Sequence, residues 1–108
     1  MDTQNRLERV LAEYREQLRA VLGDDLDSVV LFGSQARREA TDESDIDVLC
    51  IMKQPFDYGE LIMKTSQITG DTSLKYDVVL SRAFTTVEDY EARQTPFLMN
   101  VRREGVPV

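Results

Sequence analysis

The chain has no histidine. Imidazole acid–base work and Ser-His-Asp triads are therefore excluded, and a structural zinc site would lack its usual ligands. The single cysteine, Cys50, lies inside an apolar run and has no intrachain disulfide partner. It reads as a small packed hydrophobe. No apolar stretch approaches the roughly 20 residues of a membrane span. The start, Met1-Asp2-Thr3-Gln4-Asn5, lacks the basic opening and apolar core of a signal peptide. The expected location is cytoplasmic, with no membrane partner. Basic residues are the minority, 13 against 20 acidic, for a net charge of −7. Long nucleic acid needs a basic footprint, so its direct binding is not expected. A small nucleotide carried with its metal, or a protein partner, suits this charge. Excess acid also simply keeps a protein soluble.

What is present suits one small domain spanning residues 1–108, with a modest core and 42% hydrophobic residues. Leu7, Val10, Leu11, Tyr14, Leu18, Val21 and Leu22 recur at spacings of three and four, which predicts a helix over 3–22 stopped by Gly23. Strands are expected over 27–32, 46–52 and 76–80, and a short helix over 34–39. Asp57 with Glu60 resembles a capping box for a helix to about Ile68, and Gly70-Asp71-Thr72-Ser73 reads as a loop. Thr85 with Glu88 makes a further cap, and Thr95-Pro96 opens a last helix that ends by Gly105. Arg102-Arg103-Glu104 reads as a solvated helix face. The predicted class is α/β (α+β), with a mixed central sheet of about three or four strands flanked by helices.

The chemistry concentrates where Gly33-Ser34 is followed, ten residues on, by Asp45-Ile46-Asp47. Side chains alternate along a strand, so Asp45 and Asp47 project together, roughly 6.6 Å apart along it. Paired carboxylates attract hard cations, and magnesium prefers carboxylates plus substrate phosphates. Gly33 permits a turn and a close backbone approach. A helix opening near Ser34 would aim N–H groups at a phosphate, and Arg37 or Arg38 could reach a triphosphate. The four fixed positions would arise about once in a thousand random chains of this length, at ordinary residue frequencies. Turn and cap roles are the plain alternative for these aspartates. Asp77 precedes a Val-rich run, where acids are depleted. If its strand lies beside that of Asp45 and Asp47, three carboxylates converge. Two bare charges at about 4 Å repel by roughly 4 kcal/mol at an effective dielectric of 20, a conflict that a bound divalent ion removes. The alternative for Asp77 is an edge-strand acid facing solvent.

Gly33-Ser34, Asp45-x-Asp47 and a later Asp77 together resemble the DNA polymerase β-type nucleotidyltransferase superfamily, and more closely its minimal nucleotidyltransferase (MNT) domains. The resemblance covers nearly the whole chain, including Pro96-Phe97-Leu98 and Arg103-Glu104-Gly105-Val106. It implies that Asp45, Asp47 and Asp77 form a catalytic and metal-binding triad for two Mg2+ ions, or Mn2+, with Asp77 completing the metal site or acting as base. Gly33 and Ser34 would hold the β- and γ-phosphates of ATP, with Arg37 and Ser44 as further phosphate ligands. Many relatives read Gly-Ser-Arg-Ala-Arg-Gly where this chain has Gln35 and Arg38 in the third and sixth places. The resemblance also implies an antitoxin that transfers AMP to a tyrosine of a helical HEPN-type toxin, in a hetero-oligomer. Two other readings are a non-catalytic module that masks its partner, and one subunit of a small-molecule nucleotidyltransferase.

Overall fold

The computed structural model describes residues 3–37 and 45–108. Helix α1, Thr3–Leu22, follows the predicted periodicity. Leu7, Val10, Leu11, Tyr14, Leu18 and Leu22 are buried, while Val21 turns outward. Gly23, at φ 65°, releases the chain into a short 3-10 turn, Gly23–Asp25, and then strand β1, Leu26–Phe32. Strand β2, Ile46–Met52, runs antiparallel to β1, and β3, Leu80–Thr86, runs parallel to β2. A two-residue strand, β4 (Val106–Pro107), pairs antiparallel with Val30 and Leu31 and completes the order β3-β2-β1-β4. The mixed sheet and flanking helices agree with the class predicted above. Strand β4 was not foreseen; two residues are too few to show a period.

Alternation along β2 separates the two faces of the sheet. Ile46, Val48, Cys50 and Met52 pack into the larger core with α1 and with α2 (Tyr58–Tyr76). Leu49 and Ile51 face the opposite way, into a smaller cluster with Val30, Leu98 and Val101. Asp47 shares that second face by period. Cys50 is fully buried, and its burial pushes the thiol up to about 12, so it packs as expected.

Helix α2 is longer than predicted. Asp57 caps it as foreseen, accepting from the Glu60 N–H at 3.0 Å, but Gly70-Asp71-Thr72-Ser73 continues the helix instead of forming a loop. The reason is tertiary. Thr65, Thr69 and Thr72 are buried, and the hydroxyls of Thr65 and Thr69 donate to the carbonyls of Leu61 (2.8 Å) and Thr65 (2.6 Å). Since Thr69 spends its proton there, Tyr14 donates to Thr69 Oγ1 at 2.6 Å. Arg82 of β3 donates through Nε to Thr65 Oγ1 and through a terminal nitrogen to Ile62 O, both at 2.8 Å. Packing and satisfied hydroxyls override weak intrinsic propensity. Tyr14→Phe is expected to cost about 1 kcal/mol in urea unfolding.

The third strand also moves. It begins at Leu80, not Tyr76, and Asp77 is the C-cap of α2, at φ 53° and ψ 52°. The Val78 N–H donates to Ser73 O at 3.0 Å and the Asp77 N–H to Leu74 O at 3.4 Å, the paired bonds of a Schellman stop. Arg6 of α1 donates to the Tyr76 carbonyl at the same helix end. Residues 34–37 form a hydrogen-bonded turn rather than a helix, with the Ala36 and Arg37 N–H groups donating to Gly33 O at 3.1 and 3.2 Å. Arg38 and Ser44 lie outside the described residues.

Two short helices close the second face. Thr86, not Thr85, caps α3 (Val87–Ala92) by accepting from the Asp89 N–H at 3.1 Å. Thr95 caps α4 (Pro96–Glu104) through the Leu98 N–H at 3.2 Å. Arg102 and Glu104 of α4 are partly buried instead of solvated: Arg102 donates to the Tyr90 carbonyl, and Glu104 pairs with Arg37. At Gly105 a Cβ would stand 2.5 Å from both Val101 O and Val30 Cγ1, so only glycine lets α4 turn back onto β1 there.

Candidate active site

The site forms where β1 ends and β2 begins. Phe32 pairs with Asp47 across the antiparallel ladder. The next residue, Gly33, takes a left-handed φ of 76°. A Cβ on Gly33 would lie 2.7 Å from Asp47 Oδ2. The phosphate-turn glycine and the second aspartate are thus in direct contact, and two separate reasons require glycine. Gly33→Ala is expected to cost about 1–2 kcal/mol from the left-handed backbone alone. It should also displace the Asp47 carboxylate, which a thermal melt and a nucleotidyl-transfer assay would register together.

Asp47 is half-buried and Asp45 exposed. Burial, and then the neighbouring Asp45 charge, push the Asp47 carboxyl above the ordinary carboxylate range. Two electrostatically coupled carboxylates, one of them partly desolvated, are a donor set whose repulsion a divalent cation relieves. Asp45 and Asp47 therefore fit a magnesium or manganese ion. Ser34 follows Gly33 in the turn and is partly buried.

The parallel neighbour β3 anchors the other side. Ile46 N–H donates to Val79 O at 2.9 Å, and Asp47 stands in register with Ser81. Asp77 is placed before this strand, at the helix cap, so the expected strand position is corrected. Among the described residues no three acidic or cysteine side chains are grouped to hold one metal ion. The structure therefore brings together Gly33, Asp45 and Asp47, and leaves Asp77 outside their immediate cluster.

Arg37 forms an ion pair with Glu104 at 3.3 Å, with both side chains about one-third exposed. Beside it, a cleft of about 180 Å3 separates the Gly33 turn from α4. Its α4 wall carries Phe97, Asn100, Val101 and Glu104. Sequence reasoning missed this wall, although the spacing of those residues by three and four places them on one helical face.

Residues 11–103 match the nucleotidyltransferase domain family, and the chain belongs to that family. It is thus a nucleotidyltransferase. It is 34% identical over 99 residues to the "Putative protein adenylyltransferase MJ0141" of Methanocaldococcus jannaschii, covering 92% of this chain and 95% of that protein. In fold it is similar to a nucleotidyltransferase crystal structure from Sulfolobus solfataricus, with a TM-score of 0.69 at 20% identity over 96% of this chain and 80% of the other. It is also similar in fold to a chain of the tri-AMPylated Shewanella oneidensis HEPN toxin complex with its MNT antitoxin, with a TM-score of 0.54 at 14% identity over 99% and 71% of the two chains.

Proposed function

We propose that the chain is an antitoxin that transfers AMP from ATP to a tyrosine hydroxyl of a HEPN-type toxin, using divalent metal held by Asp45 and Asp47. The observation that carries the reading is the contact between Gly33 and Asp47, which places a phosphate turn against a coupled carboxylate pair. The adenylyltransferase name of the Methanocaldococcus relative and the toxin–antitoxin complex that shares the fold support the transfer and the partner.

In this reaction the acceptor oxygen attacks the α-phosphorus, and a P–O bond to the acceptor forms. The bond from that phosphorus to the bridging oxygen breaks, and pyrophosphate leaves. Metal, when bound, neutralises the phosphates and lowers the pKa of the attacking hydroxyl. Gly33 and Ser34 hold the β- and γ-phosphates, with Arg37 and Ser44 as further ligands. Asp77 takes the acceptor proton or completes the metal site. The chain's own contribution is positioning and fixed charge, which dominate phosphoryl-type transfers.

The test uses purified protein, its neighbouring-gene partner, magnesium and ATP labelled at the α-phosphate. Label is expected on a partner tyrosine, located by mass spectrometry. Absence of label from the wild type, or full transfer by an Asp45→Asn/Asp47→Asn variant, would sink the proposal. The separate placement of Asp77 and the Arg37–Glu104 pair favour a second reading, in which the protein neutralises its partner by covering it. Full protection of cells by the Asp45→Asn/Asp47→Asn variant would select that reading.

A further inference from the structure

The cleft between the Gly33 turn and α4 has no role in the reaction as described so far. Its position is informative. Gly33 is shared: one side of it meets the Asp47 carboxylate, and it also lines the cleft. The cleft therefore opens directly beside the proposed transfer centre, on the β1 side of the sheet. The geometry points to this cleft as the nucleobase subsite of the donor, with Phe97 as its aromatic wall and Asn100 as its hydrogen-bond donor. The inference rests on the nucleotidyl-transfer reading and adds to it where the base lies and what selects it.

In-line displacement excludes the competing occupant. The attacking hydroxyl must approach opposite to the departing pyrophosphate. Pyrophosphate departs at the Gly33–Ser34 turn, so the acceptor approaches from the opposite side, and the cleft flanks the leaving side. The nucleoside is joined to the α-phosphorus through a third oxygen and is free to lie there.

The lining suits a flat heteroaromatic ring with a polar edge. Phe97 is 45% exposed, and its ring is held edge-on to Phe32 at 5.3 Å between centroids and 87°. Phe97 is thus an aromatic surface fixed in place, which a base can use without further ordering cost. Asn100 accepts from Arg103 through Oδ1 at 2.8 Å. That contact orients the amide and leaves its N–H2 group as the donor, matched to a ring nitrogen acceptor. The Arg37–Glu104 pair closes the end of the cleft nearest the phosphate turn.

The test is calorimetric titration of the full chain in magnesium, with ATP and with inorganic tripolyphosphate. Phe97→Leu keeps an apolar contact on Phe32 and removes the ring; Asn100→Ala removes the donor. Each is expected to weaken ATP binding about tenfold, the scale of one base–aromatic stack, and to leave tripolyphosphate binding unchanged. Unchanged ATP binding in both variants, or equal weakening of both ligands, overturns the subsite alone. Failure of the wild type to bind either ligand overturns the transfer reading and the subsite together. Displacement of a tyrosine-containing peptide by the Phe97 substitution, with ATP unaffected, would assign the cleft to the acceptor and overturn the inference.

Discussion

Asp47→Asn is expected to abolish AMP transfer while making the metal-free protein more stable. The loss of activity should exceed a thousandfold, because oriented charge at a transferring phosphoryl group is among the largest catalytic contributions. The gain in stability follows from linkage. Burial and the Asp45 charge raise the folded-state pKa of Asp47 above its ordinary value of 3.8. The folded chain therefore holds a proton that the unfolded chain has released. Stability from this group is fully present below 3.8 and falls as pH rises from there through the raised folded value. Asparagine does not titrate, so that fall should vanish. Melting curves at several pH values in chelator would show a flatter profile for the variant. Adding magnesium should raise the melting temperature of the wild type above that window and leave the variant nearly unmoved. A melting profile identical to the wild type, or a variant with near-normal transfer, would contradict the electrostatic account of the pair.

The second large effect belongs to Asp77. A non-glycine residue at a left-handed helix stop carries strain that glycine does not, so Asp77→Gly should stabilise the fold by about 1 kcal/mol. For a chain of this size that corresponds to about 5 °C in melting temperature. Asp77→Asn tolerates the same backbone and should leave the melting temperature near the wild-type value. If the carboxylate serves the reaction, both substitutions reduce transfer to a similar degree, despite their different stabilities. Transfer that persists in both variants would make Asp77 a helix stop and nothing more. Strained residues gather at functional sites, and for that reason Asp77 keeps its candidacy away from the Asp45–Asp47 cluster.

The parts of the site legible in the sequence are those whose geometry is local. Asp45 and Asp47 project together because a strand alternates, and Gly33 turns because only glycine enters that backbone region freely. The caps at Asp57 and Thr95 were readable for the same reason: each is set by three or four consecutive residues. What could not be read depends on distant partners. Nothing near Gly70-Asp71-Thr72-Ser73 announces that Tyr14 and its helix will bury Thr69 and Thr72, so a polar stretch resembling a loop became the last turns of α2. That extension consumed Tyr76 and moved Asp77 from a strand to a cap. The Arg37–Glu104 pair spans 67 positions, beyond any local pattern. The α4 wall of the cleft lay in between: its helical spacing was visible, but the face it would oppose was not.

Gly105 and the short strand after it decide how that wall behaves. Val106 and Pro107 pair with Leu31 and Val30, and the Val108 N–H donates to Val29 O at 3.0 Å. Helix α4 is thereby tied to the strand that ends in the phosphate turn. The cleft's two sides are consequently coupled mechanically: a displacement of the turn on filling with phosphate is transmitted through three residues of backbone to the opposite wall. Widening and narrowing of the cleft should then track events at Asp47, even though no side chain of α4 lies on β2.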